Sequence, residues 1–222
     1  MREAEGAMHG QGNEQEGVRR LGVIGGSFDP IHIAHLVMAD TVREALGLDR
    51  VLFMPAGQQP LKRGKPASPA EQRAAMVQLA IEGDPYFVLS RVDLDRAGPS
   101  YTADSMERLR EEWGGPDQVA MWFITGTDSL LTMPQWREPG RILAHTRLAV
   151  IQRPNFNAEG MGTMDALEAQ VPGIKAAIDW VDAPLMEISS TDIRERVRAG
   201  RSIRYRTPEA VRDYIEAQGL YR

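Results

Sequence analysis

Two stretches, far apart in the chain, set anion-binding residue types where the backbone can assist them. The first is Gly22-Val23-Ile24-Gly25-Gly26-Ser27-Phe28-Asp29-Pro30-Ile31-His32-Ile33-Ala34-His35. Glycines that follow a buried strand let a ligand come close to the backbone, and the helix that opens after them offers free N–H groups and a partial positive charge suited to phosphate. His32 and His35 stand three positions apart, on one helix face, so both can reach the same anion. The second stretch is Ile188-Ser189-Ser190-Thr191-Asp192-Ile193-Arg194. Its hydroxyls gather at a second helix start, and Arg194 brings a fork of donors from the first turn. Each stretch alone has a plain structural reading: a tight turn capped by Asp29 beside two surface histidines, and a serine N-cap followed by a solvated arginine. Two anion-binding helix starts in one chain favour a shared phosphate site.

Positioning these residues requires strands that deliver turns to one edge. From Leu21 onward short apolar runs alternate with amphipathic stretches, the pattern of βαβ units around a parallel sheet. Strands are expected at 21–24, 50–54, 87–94, 119–124 and 148–152, and helices at 33–46, 69–81 and 102–113, with short ones near Asp128 and at 141–144. Gly47 sits where a C-cap glycine belongs. Residues 155–173 read as a less regular surface excursion, and two helices, from Ser189 and from Pro208, close the chain. The expected fold is α/β, a doubly wound, Rossmann-like parallel sheet with helices on both faces and a small C-terminal helical part over about 186–222. Residues 1–19 read as a flexible leader, with Met8 an equally good start, and 20–222 as a single domain.

Composition narrows the function. The 222 residues carry a formal net charge of −5 and no cysteine. Disulfides, thiolate nucleophiles and Cys-ligated zinc are excluded, and broad nucleic-acid binding by charge is disfavoured. No apolar run approaches the roughly 20 residues of a membrane helix, nor has the N-terminus the apolar centre of a signal peptide. A cytoplasmic protein acting on a small ligand is expected, with no nucleic-acid or membrane partner; self-association into a homo-oligomer stays open.

The run Gly25-Gly26-Ser27-Phe28-Asp29-Pro30-Ile31-His32-Ile33-Ala34-His35 resembles the GGxFDPxHxGH signature of nucleotidyltransferases, specifically of bacterial nicotinate-nucleotide adenylyltransferases, with Ala34 in place of the usual glycine. Ile188 to Arg194 resembles that family's ISSTxIR motif, and the resemblance covers nearly the whole chain after the leader. It implies that Gly25, Gly26, Ser27, Phe28, His32, His35, Gly126, Asp128, Ile188, Ser189, Ser190, Thr191 and Arg194 bind ATP, with His32, His35 and Arg194 catalytic. For the acceptor, it implies Lys62 of a P-P-H-K-like loop where Leu61 replaces the histidine, the Tyr101-Thr102-Ala103-Asp104 segment, and Trp136 stacked on a pyridine ring. The bland alternatives are a solvated basic loop, a helix N-cap at Thr102 and ordinary packing of Trp136.

The reaction so implied is attack of a nicotinate mononucleotide phosphate on the α-phosphorus of ATP, giving nicotinate adenine dinucleotide and pyrophosphate. Both reactants are anions, so catalysis is positioning and charge stabilisation by His32, His35, Lys62 and Arg194. Mg2+ is expected, held mainly by the ATP phosphates and not by a protein cage. The alternatives are a sister enzyme using nicotinamide mononucleotide or another phosphorylated acceptor, such as phosphopantetheine or glycerol 3-phosphate, and a nucleotide-binding module without activity. An aminoacyl-tRNA synthetase is disfavoured, because the chain is too short and acidic for a tRNA-binding region.

Overall fold

The computed structural model describes residues 18–57, 68–152, 163–184 and 186–222. Six strands form one sheet: β1 (Arg19–Gly26), β2 (Arg50–Pro55), β3 (Phe87–Leu89), β4 (Val119–Gly126), β5 (Arg147–Gln152) and β6 (Ile178–Asp182). Every pairing is parallel and the order is β3-β2-β1-β4-β5-β6. The order reverses between β1 and β4, and the crevice above the carboxyl ends of strands at such a reversal is where open α/β sheets bind ligands.

The helices are α1 (Ile33–Leu46), α2 (Ala70–Ile81), α3 (Thr102–Glu112), α4 (Thr127–Thr132), α5 (Pro139–His145), α6 (Thr163–Gln170), α7 (Ile174–Ala177), α8 (Ser190–Arg198) and α9 (Glu209–Ala217). Alternation along the strands sorts them onto the two faces. Leu21, Val23, Leu52, Met54, Met121 and Phe123 pack with Met106 and Leu109 of α3, Ile142 of α5 and Leu167 of α6. Ile24, Val51, Phe53, Trp122 and Ile124 pack on the other face with Val42 of α1, Met76 and Val77 of α2, Ile193 of α8 and Val211 and Ile215 of α9. Burying each such side chain contributes roughly 1.5–3 kcal/mol. Gly22 permits the close contact of β1 with its neighbours, since a Cβ there would lie 2.9 Å from Leu48 and Ile124 side-chain carbons. Gly47 ends α1 in the left-handed conformation at φ 58°, as its position after Leu46 predicts.

Three expectations need correction. The strand expected over 87–94 ends at Leu89, because Arg91 O accepts from the Leu94 and Asp95 amides and turns the chain. The excursion expected over 155–173 contains helix α6, while 153–162 lie outside the described residues. Strand β6 was not anticipated: Asp179 and Asp182 interrupt its apolar run, and Asp179 is accommodated by Arg147 (2.6 Å) and by the Trp122 indole N–H (2.7 Å). Of the expected leader, residues 1–17 fall outside the described set, and β1 already begins at Arg19. Among the described residues no helix is long and apolar enough to cross a membrane.

Candidate active site

Strand β1 ends at Gly25-Gly26 and the chain turns through Ser27-Phe28-Asp29-Pro30 into α1. The Asp29–Pro30 peptide is cis, and Phe28 adopts a left-handed φ of 48°. A non-glycine residue holds that conformation only where its surroundings over-determine it. Here they do, because the Phe28 ring is buried, edge-on to His35 at 5.0 Å and packed near Phe53. Gly26 lies under the ring, where a Cβ would come within 3.2 Å of it. Asp29 does not cap α1. Its carboxylate accepts from the Tyr221 hydroxyl (2.7 Å) and the Ser68 amide (3.3 Å).

His32 is the N-cap of α1 and His35 lies in its first turn. Their rings stack at 3.7 Å with planes 20° apart. The His32 amide donates to His35 Nδ1 (3.3 Å), so the neutral His35 ring carries its proton on Nε2. Burial pushes the His32 imidazole down to about 4. His35 is lowered well below its ordinary value, first by burial and then by the neighbouring His32. The pair is therefore neutral at pH 7 before a ligand arrives, and the surface histidines of the bland reading are not found: His32 is 6% exposed. Among the described residues, buried His32 Nδ1 has no hydrogen-bond partner. The α1 start is less open than its sequence suggests, because the Ile33 amide already donates to Arg206 O (3.0 Å).

The C-terminal part clasps this elbow. Ser189 caps α8 by accepting from the Asp192 amide (3.1 Å), Ser190 Oγ donates to Pro30 O (2.8 Å), and Arg194 Nη1 donates to Asp29 O (2.7 Å) while Nη2 donates to Thr191 Oγ1 (3.2 Å). Thr207 Oγ1 adds a bond to Ile31 O (2.8 Å). The two motifs singled out by sequence are thus in direct contact, and Arg194 is not a solvated arginine. Only two of its five donors are used in these bonds.

A cavity of about 630 Å3 opens over the carboxyl ends of β1, β2 and β4, within the range of small-molecule sites. Of the sequence-predicted residues, Gly25, Gly26, Ser27, His35, Tyr101, Thr102, Gly126 and Trp136 line it. Phe28 and His32 stand behind His35, and Ile188 to Arg194 lie at the elbow. Asp128 is exposed in the first turn of α4. Asp104 faces elsewhere, in ion pairs with Arg141 (2.9 Å) and Arg96 (3.2 Å). Lys62 lies outside the described residues. Tyr101, not Thr102, is the N-cap of α3. Trp136 stands edge-on to Phe123 at 5.9 Å, with its indole N–H 3.4 Å from Thr132 Oγ1.

Sequence reasoning missed Asp93, Ser100 and Arg137, which also line the cavity. Asp93 is 4% exposed and accepts a 2.5 Å bond from Ser105 Oγ–H, and burial raises its pKa. Ser100 Oγ accepts from the Gly57 amide (3.1 Å). Gly57 makes this approach feasible, because a Cβ there would sit 2.5 Å from Asp93 O.

Comparison with known proteins identifies the family. The cytidylyltransferase-like family model matches residues 23–196. A probable nicotinate-nucleotide adenylyltransferase of Thermomicrobium roseum is 45% identical over 203 residues, spanning 91% of this chain and 92% of that protein. One from Roseiflexus sp. is 46% identical over 202 residues, spanning 91% and 98%. The chain belongs to the cytidylyltransferase-like family, among its nicotinate-nucleotide adenylyltransferases. A solved structure of Plasmodium falciparum nicotinic acid mononucleotide adenylyltransferase complexed with NaAD superposes on this family member with a TM-score of 0.71. It covers 91% of this chain and 97% of that one at 18% identity, a likeness of fold.

Proposed function

We propose that the protein transfers the adenylyl group of ATP to nicotinate mononucleotide, forming nicotinate adenine dinucleotide and pyrophosphate in NAD biosynthesis. The observation that carries the reading is the stacked His32–His35 pair, held by a buried elbow at the rim of a dinucleotide-sized cavity. ATP enters over the Gly25-Gly26-Ser27 turn with its phosphates toward the histidines, and the mononucleotide occupies the end walled by Tyr101, Thr102 and Trp136. The acceptor phosphate oxygen attacks the α-phosphorus as the bond to the bridging oxygen of pyrophosphate breaks, with no covalent enzyme intermediate. His35 Nε2–H donates to the phosphate oxygens as charge shifts toward pyrophosphate. His32 fixes the His35 tautomer through its amide and offers its own ring behind it. Arg194, tied to the elbow at Asp29, adds a permanent cation with unspent donors.

Among the described residues no group of three or more His, Asp or Glu side chains can hold a metal ion. Mg2+ is proposed to travel on the ATP phosphates, whose charge it would offset in part, and no step here is assigned to it. We place the reaction in the cytoplasm. The test is incubation of the purified protein with ATP, Mg2+ and nicotinate mononucleotide. Pyrophosphate and dinucleotide should appear in equal amounts, whereas ATP binding without pyrophosphate release would mark a non-catalytic module.

A further inference from the structure

Arg137 follows Trp136 at the cavity wall, and its guanidinium carbon lies 4.5 Å from the centre of the Tyr101 ring. Tyr101 is the residue that opens α3. The cation therefore spans from the wall carrying Trp136 to the helix start carrying Thr102, the two features expected to hold the pyridine ring. Its placement is built into the backbone: the next residue, Glu138, is the N-cap of α5 in a left-handed conformation at φ 52°, and the Glu138 carboxylate meets the Nε edge at 3.4 Å. Glu138 is shared with Arg141 (3.2 Å), so it does not cancel the Arg137 charge alone. Among the described residues the other guanidinium edge meets no hydrogen-bond acceptor, and it keeps its donors. Among the described residues lining the cavity Asp93 is the acidic one, and it is turned toward Ser105 Oγ–H and, at 3.8 Å, Arg96.

We propose that Arg137, braced over Tyr101, selects the acid form of the acceptor by placing a positive charge beside the ring carboxylate of nicotinate mononucleotide. The inference rests on the pyridine acceptor proposed above and adds the side chain that distinguishes acid from amide. Nicotinate and nicotinamide mononucleotides share ribose and phosphate, so a residue that meets those parts treats both alike. A residue that meets the ring substituent does not.

The experiment measures kcat and KM for both mononucleotides in the wild type, Arg137→Gln and Arg137→Lys, with thermal melting to verify the fold. The side chain is 55% exposed, so the screened pairing of one charge sets the scale: Arg137→Gln should lower the preference for the acid about two- to fivefold. The loss should fall on KM for nicotinate mononucleotide, leaving the amide substrate nearly unchanged, and Arg137→Lys should restore most of the preference. Added salt should raise the wild-type KM for the acid more than that of the Gln variant. Equal losses for both substrates, or an unchanged preference, would overturn the assignment. Absence of transfer to either mononucleotide by the wild type would instead overturn the underlying reading, and is visible before any variant is made.

Discussion

Replacing His35 by Ala removes the proposed donor to the phosphates and tests the site at its centre. The deleted ring makes a 3.7 Å stack with His32, an edge contact with Phe28 at 5.0 Å and a 3.3 Å bond from the His32 amide. Loss of one preorganised donor to a developing phosphate charge costs about 3–4 kcal/mol of transition-state stabilisation, or roughly 10²–10³ in kcat. The structural cost is smaller. Leaving the His32 amide without its acceptor costs about 1–3 kcal/mol, and of the hydrophobic layers on the two faces of the sheet only Phe28 loses a ring contact. The variant should therefore remain folded, with a lower melting temperature and kcat reduced at least a hundredfold, while KM for the mononucleotide stays close to wild type. The assay is pyrophosphate release at saturating ATP, with circular dichroism as the check on the fold. A kcat within threefold of wild type in a folded variant would refute the role given to His35.

Other outcomes follow from the same contacts. Tyr221→Phe removes the hydroxyl that donates to the buried Asp29 carboxylate at 2.7 Å; it should cost about 1.5–3 kcal/mol in urea unfolding and raise KM for ATP through the loosened elbow. Gly57→Ala pushes a Cβ against Asp93 O, 2.5 Å away, and should raise KM for the mononucleotide while KM for ATP changes little. Stability should also fall in mild acid. The His32 pKa is about 4 in the fold against 6.5 when exposed, so the unfolded chain takes up the proton first as pH drops. The contribution is complete above 6.5 and is lost progressively toward 4, about 2 kcal/mol of it between pH 7 and 5; a His32→Gln variant should lack that part of the slope in denaturation series.

Parts of the site were legible because their signals are local. The Gly25-Gly26 turn follows a buried run and His32 and His35 share a spacing, while Ser189 precedes a helix with its own stop. Their approach to one another was implied by the family resemblance together with two anion-binding helix starts, and Ser190 and Arg194 do bond to the elbow. The charge state of the histidines was not legible, since it depends on burial that the pair acquires only in the folded elbow, His35 beside Phe28 and His32 stacked on His35. Nor were Asp93 and Gly57. Their meaning lies in a contact between loops more than thirty positions apart, and nothing near either residue announces it. Strand β6 escaped because Asp179 breaks its apolar run, and its partner Arg147 begins a different strand. Arg137 was overshadowed by its neighbour Trp136, and only the left-handed Glu138 and the Tyr101 ring give it a direction.

The central claim is a single adenylyl transfer between two substrates bound in one cavity. The most direct measurement uses ATP made chiral at the α-phosphorus with sulfur and follows the configuration of the dinucleotide formed with nicotinate mononucleotide. One in-line displacement predicts inversion at that phosphorus. Retention would require a covalent adenylyl-enzyme and would contradict the account.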